Sequence, residues 1–121
     1  MSDRLSAGIG ALYAALAVIL GAFGAHALDG RIPAERLETL ETAVRYLMYH
    51  ALGLLLISRL PRPGAAAWLI ATGAAIFSGS LLILVLTDTG WLGAVTPIGG
   101  VLMICGWLLL AWRFLSRNKP A

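Results

Sequence analysis

The polar side chains able to do chemistry inside the apolar stretches of this chain are few: His26, Tyr46, Tyr49, His50, Thr72, Ser78, Ser80 and Thr96. His50 stands out, because ionisable groups at membrane depth mark ion paths or ligand sites by default. A histidine there can relay protons or bind a ligand. It can equally stay neutral and give its N–H to a carbonyl or hydroxyl of a neighbouring helix, the commoner outcome. Two histidines on adjacent helices are also a haem or metal motif. His26 and His50 are offset in depth, however, and meet only if the second span tilts. Met103 and Cys105 are two apart, about 200° around a helix, so one site cannot use both. The sequence offers no nucleophile–base–acid set and no buried carboxylate pair. Ser78-Gly79-Ser80 lacks the lysine and the strand–helix setting of a phosphate loop. These residues therefore predict no catalytic group, no metal-ligand set and no cofactor.

The elements that must position them are set by composition. Of 121 residues, 60% are hydrophobic and 12% charged, with a mean hydropathy of +0.86. Ordinary soluble domains are about 45–50% apolar and about 25% charged. So few charges cannot cover the large relative surface of a small soluble domain. Disorder is excluded for the opposite reason, since disordered chains are poor in apolar residues. Residues 5–28, 63–87 and 89–112 carry no Asp, Glu, Lys or Arg, and each run exceeds the roughly 20 residues that cross a bilayer. A shorter run, 46–58, is bounded by Arg45 and Arg59, whose long stems snorkel to the interface. Continuous apolar stretches such as 16–20 and 81–86 fit helices, not the alternation of a barrel strand. The fold class is thus all-α, an integral membrane four-helix bundle forming one domain over 1–121. Its spans lie at about 6–27, 42–59, 65–87 and 91–114, with neighbouring helices antiparallel.

Arg4, Arg59, Arg62, Arg113, Arg117 and Lys119 fall on the side of the termini. Arg31, Arg36 and Arg45 fall on the other, diluted by acidic residues. The positive-inside rule then puts both termini in the cytoplasm of a bacterial inner-membrane protein. Topology accounts for the net charge of +3. A basic stripe with interleaved aromatics is missing, so nucleic acid is no partner. Ala25-His26-Ala27 imitates a signal-peptidase site, but the apolar run before it is longer than a signal h-region, about 7–15 residues. The first span is retained on this reading.

Between the first two spans, Asp29-Gly30 ends one helix and Pro33 opens another. Leu37, Leu40, Val44 and Met48 then recur at helical spacing. This predicts an amphipathic segment on the outer surface running into the second span, with a bend near 39–42. Glu41 and Arg45, four apart with the acid first, are placed to form an interface ion pair. Ala67, Ala71, Ala75 and Gly79 line up as a small-residue ridge on the third span, as do Ala17, Gly21 and Ala25 on the first; such ridges pack helices closely in lipid. Leu69, Ile76 and Ile83 are left to face lipid. Thr96-Pro97-Ile98-Gly99-Gly100 predicts a kink or break within the fourth span. Trp68, Trp91, Trp107 and Trp112 are read as interface anchors.

These motifs together resemble those of a known family. Gly21-Ala22-Phe23-Gly24-Ala25-His26-Ala27-Leu28, Thr42-Ala43-Val44-Arg45-Tyr46, Tyr49-His50-Ala51-Leu52-Gly53, Phe77-Ser78-Gly79-Ser80-Leu81, Thr96-Pro97-Ile98-Gly99-Gly100 and Gly106-Trp107 are similar to the signatures of the YgdD-like small membrane proteins. That family, also called domain of unknown function 423, has a vertebrate relative, transmembrane protein 256. The resemblance covers about 7–114 and implies a four-helix membrane protein without an established activity. An aromatic common before the Thr42-Ala43 motif is replaced here by Leu40-Glu41.

Two functions stay open. One is a non-enzymatic structural, assembly or partner-binding membrane protein, whose partners are the bilayer and either a second copy or another membrane protein. The other is a small-solute or proton-coupled transport module built around His50, Tyr46 and the break at Pro97.

Overall fold

The computed structural model describes residues 1–61 and 64–116. Arg62, Pro63, Arg117 and Lys119, on which part of the loop and charge reading rests, lie outside the described residues. Within them are four helices long and apolar enough to cross a membrane. Three are α1 (Asp3–Leu28), α2 (Ala34–Ile57) and α3 (Gly64–Thr87). The fourth, Gly90–Ser116, is a 3-10 segment, Gly90–Ala94, followed by α4 (Thr96–Ser116).

Local chemistry explains the ends. Ser2 caps α1 by accepting the Leu5 N–H at 3.1 Å, with Asp3 in the first turn where the helix dipole favours an acid. Between α1 and α2 the chain turns through Gly30 at φ +79, a left-handed conformation open to glycine. Pro33 then precedes the first residue of α2.

α1 is not uniform. Over Ile19–Gly24 it widens into a π-helix and returns to α geometry at Ala25–Leu28. A plain helix was expected over 6–27. The widened turn holds Gly21, where a Cβ would come within 2.9 Å of Val44 Cγ1, so α1 and α2 approach through a residue without a side chain.

α2 also departs from expectation. It runs through 39–42 as one helix, and the amphipathic segment is its opening turns, not a separate surface piece. Thr39 and Thr42 donate their hydroxyls back to Glu35 O and Glu38 O, at 3.0 and 3.1 Å; each carbonyl has a second lone pair for the helix's own N–H, so the ladder continues. Glu41 and Arg45 are both exposed and, among the described residues, form no ion pair. Two long side chains at an exposed helix surface gain little from pairing. The cation that finds a carboxylate is Arg36, whose Nε lies 4.0 Å from Asp88 Oδ1; its guanidinium also donates to Val85 O. Pro97 is the second residue of α4, directly after the 3-10 turn. Its missing N–H falls in the first turn, where no intrahelical bond is lost, so the expected break inside a helix is instead a helix start.

Buried residues repeat at alternating three- and four-residue steps. The seam runs through Leu40, Ala43, Leu47, His50, Leu54 and Ile57 on α2, where Ala51 and Gly53 are buried beside it, and through Thr96, Gly99, Met103, Gly106 and Leu110 on α4; Ser6, Gly10 and Ala17 mark the buried face of α1 at steps of four and seven. A mean step of about 3.5 gives the left-handed, near +20° packing common in membrane bundles. The Ala67–Ala71–Ala75–Gly79 ridge follows this face only at first. Ala67 and Ala71 are buried, but Ala75 is exposed and the space beside Gly79 is open. Strict four-residue steps drift about 40° each around a helix of 3.6 residues per turn, and Ala74 and Ser78 take over the interface. Of the expected lipid-facing set, Ile83 is exposed while Leu69 and Ile76 are half-buried.

Consecutive helices pack on one another, and α1 also touches α3. Among the described residues no Cα of α1 comes within 8 Å of α4. The bundle is therefore a lozenge with α2 and α3 along its centre and α1 and α4 at its far corners. Its densest core joins Leu54 and Ile57 to Ala66, Ala67, Ile70, Ala71 and Leu110.

Candidate functional site

The polar side chains inside the bundle are spent on bonds between helices. Ser6 Oγ donates to Leu54 O at 2.8 Å, tying α1 to α2. Tyr13 OH donates to Ala71 O at 2.8 Å, tying α1 to α3. Ser78 Oγ donates to Ala43 O at 2.8 Å, tying α2 to α3. Ser80 Oγ and Thr96 Oγ1 lie 2.6 Å apart and join α3 to α4. Trp107 Nε1–H donates to His50 Nε2 at 3.0 Å and joins α2 to α4. Every pair of helices whose backbones approach closely thus has its own polar tie; α2 and α4, whose Cα atoms stay more than 8 Å apart, are bridged by the long Trp107 side chain, and among the described residues no such bond joins α1 to α4. In hydrocarbon such bonds hold helices that apolarity alone cannot distinguish from lipid.

His50 is 5% exposed, and both ring nitrogens are engaged. An indole N–H can only donate, so Nε2 accepts from Trp107. The ring proton is then on Nδ1, which donates to Tyr46 O at 2.6 Å. That carbonyl is four residues back on the same helix, which fixes the ring's direction. Trp107 is seated by Gly53: a Cβ there would meet the indole Cη2 at 2.9 Å. Gly53→Ala should push the indole off His50 and destabilise the bundle by about 1 kcal/mol or more, read as a lower unfolding midpoint in mixed detergent micelles.

Of the other residues singled out in the sequence, Tyr46 adjoins His50, its ring stacked on the imidazole at 6.3 Å and its carbonyl bonded to Nδ1; the rest do not join this pair in one site. His26 is exposed in the last turn of α1. α2 starts at the same end of the bundle, and His50 lies about 24 Å down it at 1.5 Å per residue, so depth separates the histidines. Tyr46 and Tyr49 are exposed and pack edge to face at 5.8 Å, with Tyr46 also 5.0 Å from Phe77. Ser80 and Thr96 pair near the start of α4 and share two protons with the carbonyls of Phe77 and Leu92. Pro97 adjoins that pair as a helix start. Among the described residues, no three His, Cys, Asp or Glu side chains converge as metal ligands.

Ser6, Tyr13 and the role of Trp107 were missed in the sequence. Ser6 and Tyr13 lie seven apart with Gly10 between, the spacing of one helix face. Trp107 lies mid-helix, where an interface anchor does not belong. Replacing Ser78 by alanine removes the α2–α3 tie without changing its backbone neighbours. The expected loss is about 1 kcal/mol, read from the same unfolding midpoint.

The comparisons bear on this arrangement directly. Residues 20–100, which include His50, Ser78, Ser80 and Thr96, match the family model described as Protein of unknown function (DUF423). The chain belongs to this family. It is 48% identical to the UPF0382 membrane protein YwdK of Bacillus subtilis over 109 residues, covering 84% of this chain and 89% of that one. It is 51% identical to a UPF0382 membrane protein of Staphylococcus aureus over 107 residues, covering 84% and 88%. A Staphylococcus haemolyticus relative is 47% identical over 107 residues with the same coverage. No solved structure matches the chain. This DUF423 protein is therefore a multi-pass membrane protein of the cell membrane, built from four apolar helices.

Proposed function

We propose that this DUF423 chain is a non-catalytic membrane protein that acts by binding or assembling partners in the bilayer. The observation that carries this reading is the engagement of both His50 nitrogens inside the bundle. A relay or ligand site would need at least one of them turned to a passage or to a ligand. The polar ties leave no converging reactive groups among the described residues, while the outer sides of α1 and α4 stay apolar and apart. We also place both termini in the cytoplasm, on the excess of Arg and Lys at that end.

Reconstitution tests it. The protein in liposomes should carry no proton or small-solute flux above that of empty vesicles between pH 5 and 8. Cross-linking at native expression should give species heavier than the 12.8 kDa chain. Flux that disappears in His50→Ala would overturn the reading in favour of transport.

A further inference from the structure

The outer halves of α1 and α3 do not close on each other. Tyr13 pins α1 to α3 near mid-depth through Ala71 O. Beyond it, where α1 becomes a π-helix, an apolar groove of about 350 Å³ opens. Leu20, Gly24 and Leu28 line one wall, Val85 and Leu86 the other, and buried Leu40 of α2 forms part of the floor. Arg36 lies one turn outward from Leu40 on the same face of α2, at the groove's mouth. Its guanidinium donates to Val85 O, yet Nε is buried with no hydrogen-bond partner. Asp88 is the facing carboxylate, 4.0 Å from that nitrogen and beyond hydrogen-bond reach.

We propose that this groove holds one acyl chain of an anionic phospholipid, whose phosphate group binds Arg36. An apolar slot open to the bilayer does not stay empty, because its walls would forfeit dispersion contacts. Its lining chooses the occupant: the groove is open to the bilayer and its walls are wholly apolar, which suits the hydrocarbon chain of a lipid. Apolarity gives no preference over bulk lipid, so selectivity comes from the mouth. There the Arg36 guanidinium, with its Nε buried beside Asp88 and one Nη bonded to Val85 O, keeps further Nη N–H groups that phosphate oxygens accept. Asp88 limits the attraction, and its carboxylate is what an anionic headgroup must displace.

The test is native mass spectrometry of the detergent-solubilised chain with equimolar phosphatidylglycerol and phosphatidylcholine. The expected result is one phosphatidylglycerol retained per chain, preferred at least fivefold over phosphatidylcholine. Arg36→Gln should remove that preference. Gly24→Leu should lower lipid retention at least fivefold by filling the groove; a Cβ at Gly24 meets only Leu20 Cδ2, at 3.9 Å. Asp88→Asn should raise phosphatidylglycerol retention severalfold, and asparagine tolerates the φ of +55 at this position. This gain separates a lipid site from a purely structural Arg36. Equal retention of both lipids by the original chain would overturn the proposal. So would a Gly24→Leu variant that retains lipid like the original, or an Asp88→Asn variant that shows no gain. A dimer that Gly24→Leu dissolves would assign the groove to a second copy and also overturn it.

Discussion

Gly99→Ala is expected to cost about 3 kcal/mol or more and to leave α3 and α4 unable to dock. A Cβ at position 99 would collide with Phe77 N and lie 2.6 Å from Gly73 O. Both are backbone atoms, so no side-chain rotation relieves the clash and the helices must separate. Gly73 faces the same crossing from α3, its own Cβ position 2.8 Å from Gly99 O and Met103 N. Separation also strains the Ser80–Thr96 bond one turn away. Gly79→Ala provides the contrast: it lies on the same helix pair's α3, with nothing within 4 Å of its Cβ position, and should change stability by less than about 0.5 kcal/mol. The unfolding midpoint in mixed dodecyl maltoside and SDS micelles reads both. A Gly99→Ala protein as stable as the original would mean the α3–α4 contact is looser than described.

The second large effect is expected at His50 and Trp107. Trp107→Phe keeps ring bulk against Gly53 but leaves His50 Nε2 without a donor. A buried polar group so stranded costs about 1–3 kcal/mol. His50→Phe strands the indole N–H and removes the Nδ1 bond to Tyr46 O. The double variant should be more stable than the two losses added together, because the second change no longer breaks a bond. Cycles of this kind in membrane bundles give about 0.6 kcal/mol on average and about 1.7 at most, and a value near 1 is expected here. Strict additivity would show that the two rings merely lie side by side.

How far the sequence reveals this molecule depends on the physics that sets each feature. Span existence is legible because the bilayer fixes length and excludes charge; the third span, read as 65–87, is Gly64–Thr87. Packing faces are not, because lipid-facing and buried positions are equally apolar. The Leu37–Leu40–Val44–Met48 stripe looks like a core face, yet the buried one runs Leu40–Ala43–Leu47–His50, where small and polar residues permit approach. The Glu41–Arg45 spacing suits a pair that isolated helices favour, while the pair that forms, Arg36–Asp88, joins residues far apart in sequence. The π stretch of α1 carries no pattern of its own; it coincides with the close approach of Gly21 to Val44, a contact between helices that the sequence does not mark. For the candidate site, His50, Ser78, Ser80 and Thr96 are visible as polar residues in apolar runs. Their partners are mostly backbone carbonyls, which every residue has and no sequence marks.

The role of His50 rests on one arrangement of protons, and nitrogen-15 NMR of the ring in selectively labelled protein at neutral pH observes it. The expected spectrum shows Nδ1 bearing the proton and a bare Nε2 coupled through a hydrogen bond to the Trp107 indole N–H. A ring protonated at Nε2, or one without coupling to Trp107, would contradict a structural His50 and return it to the candidates for proton or ligand chemistry.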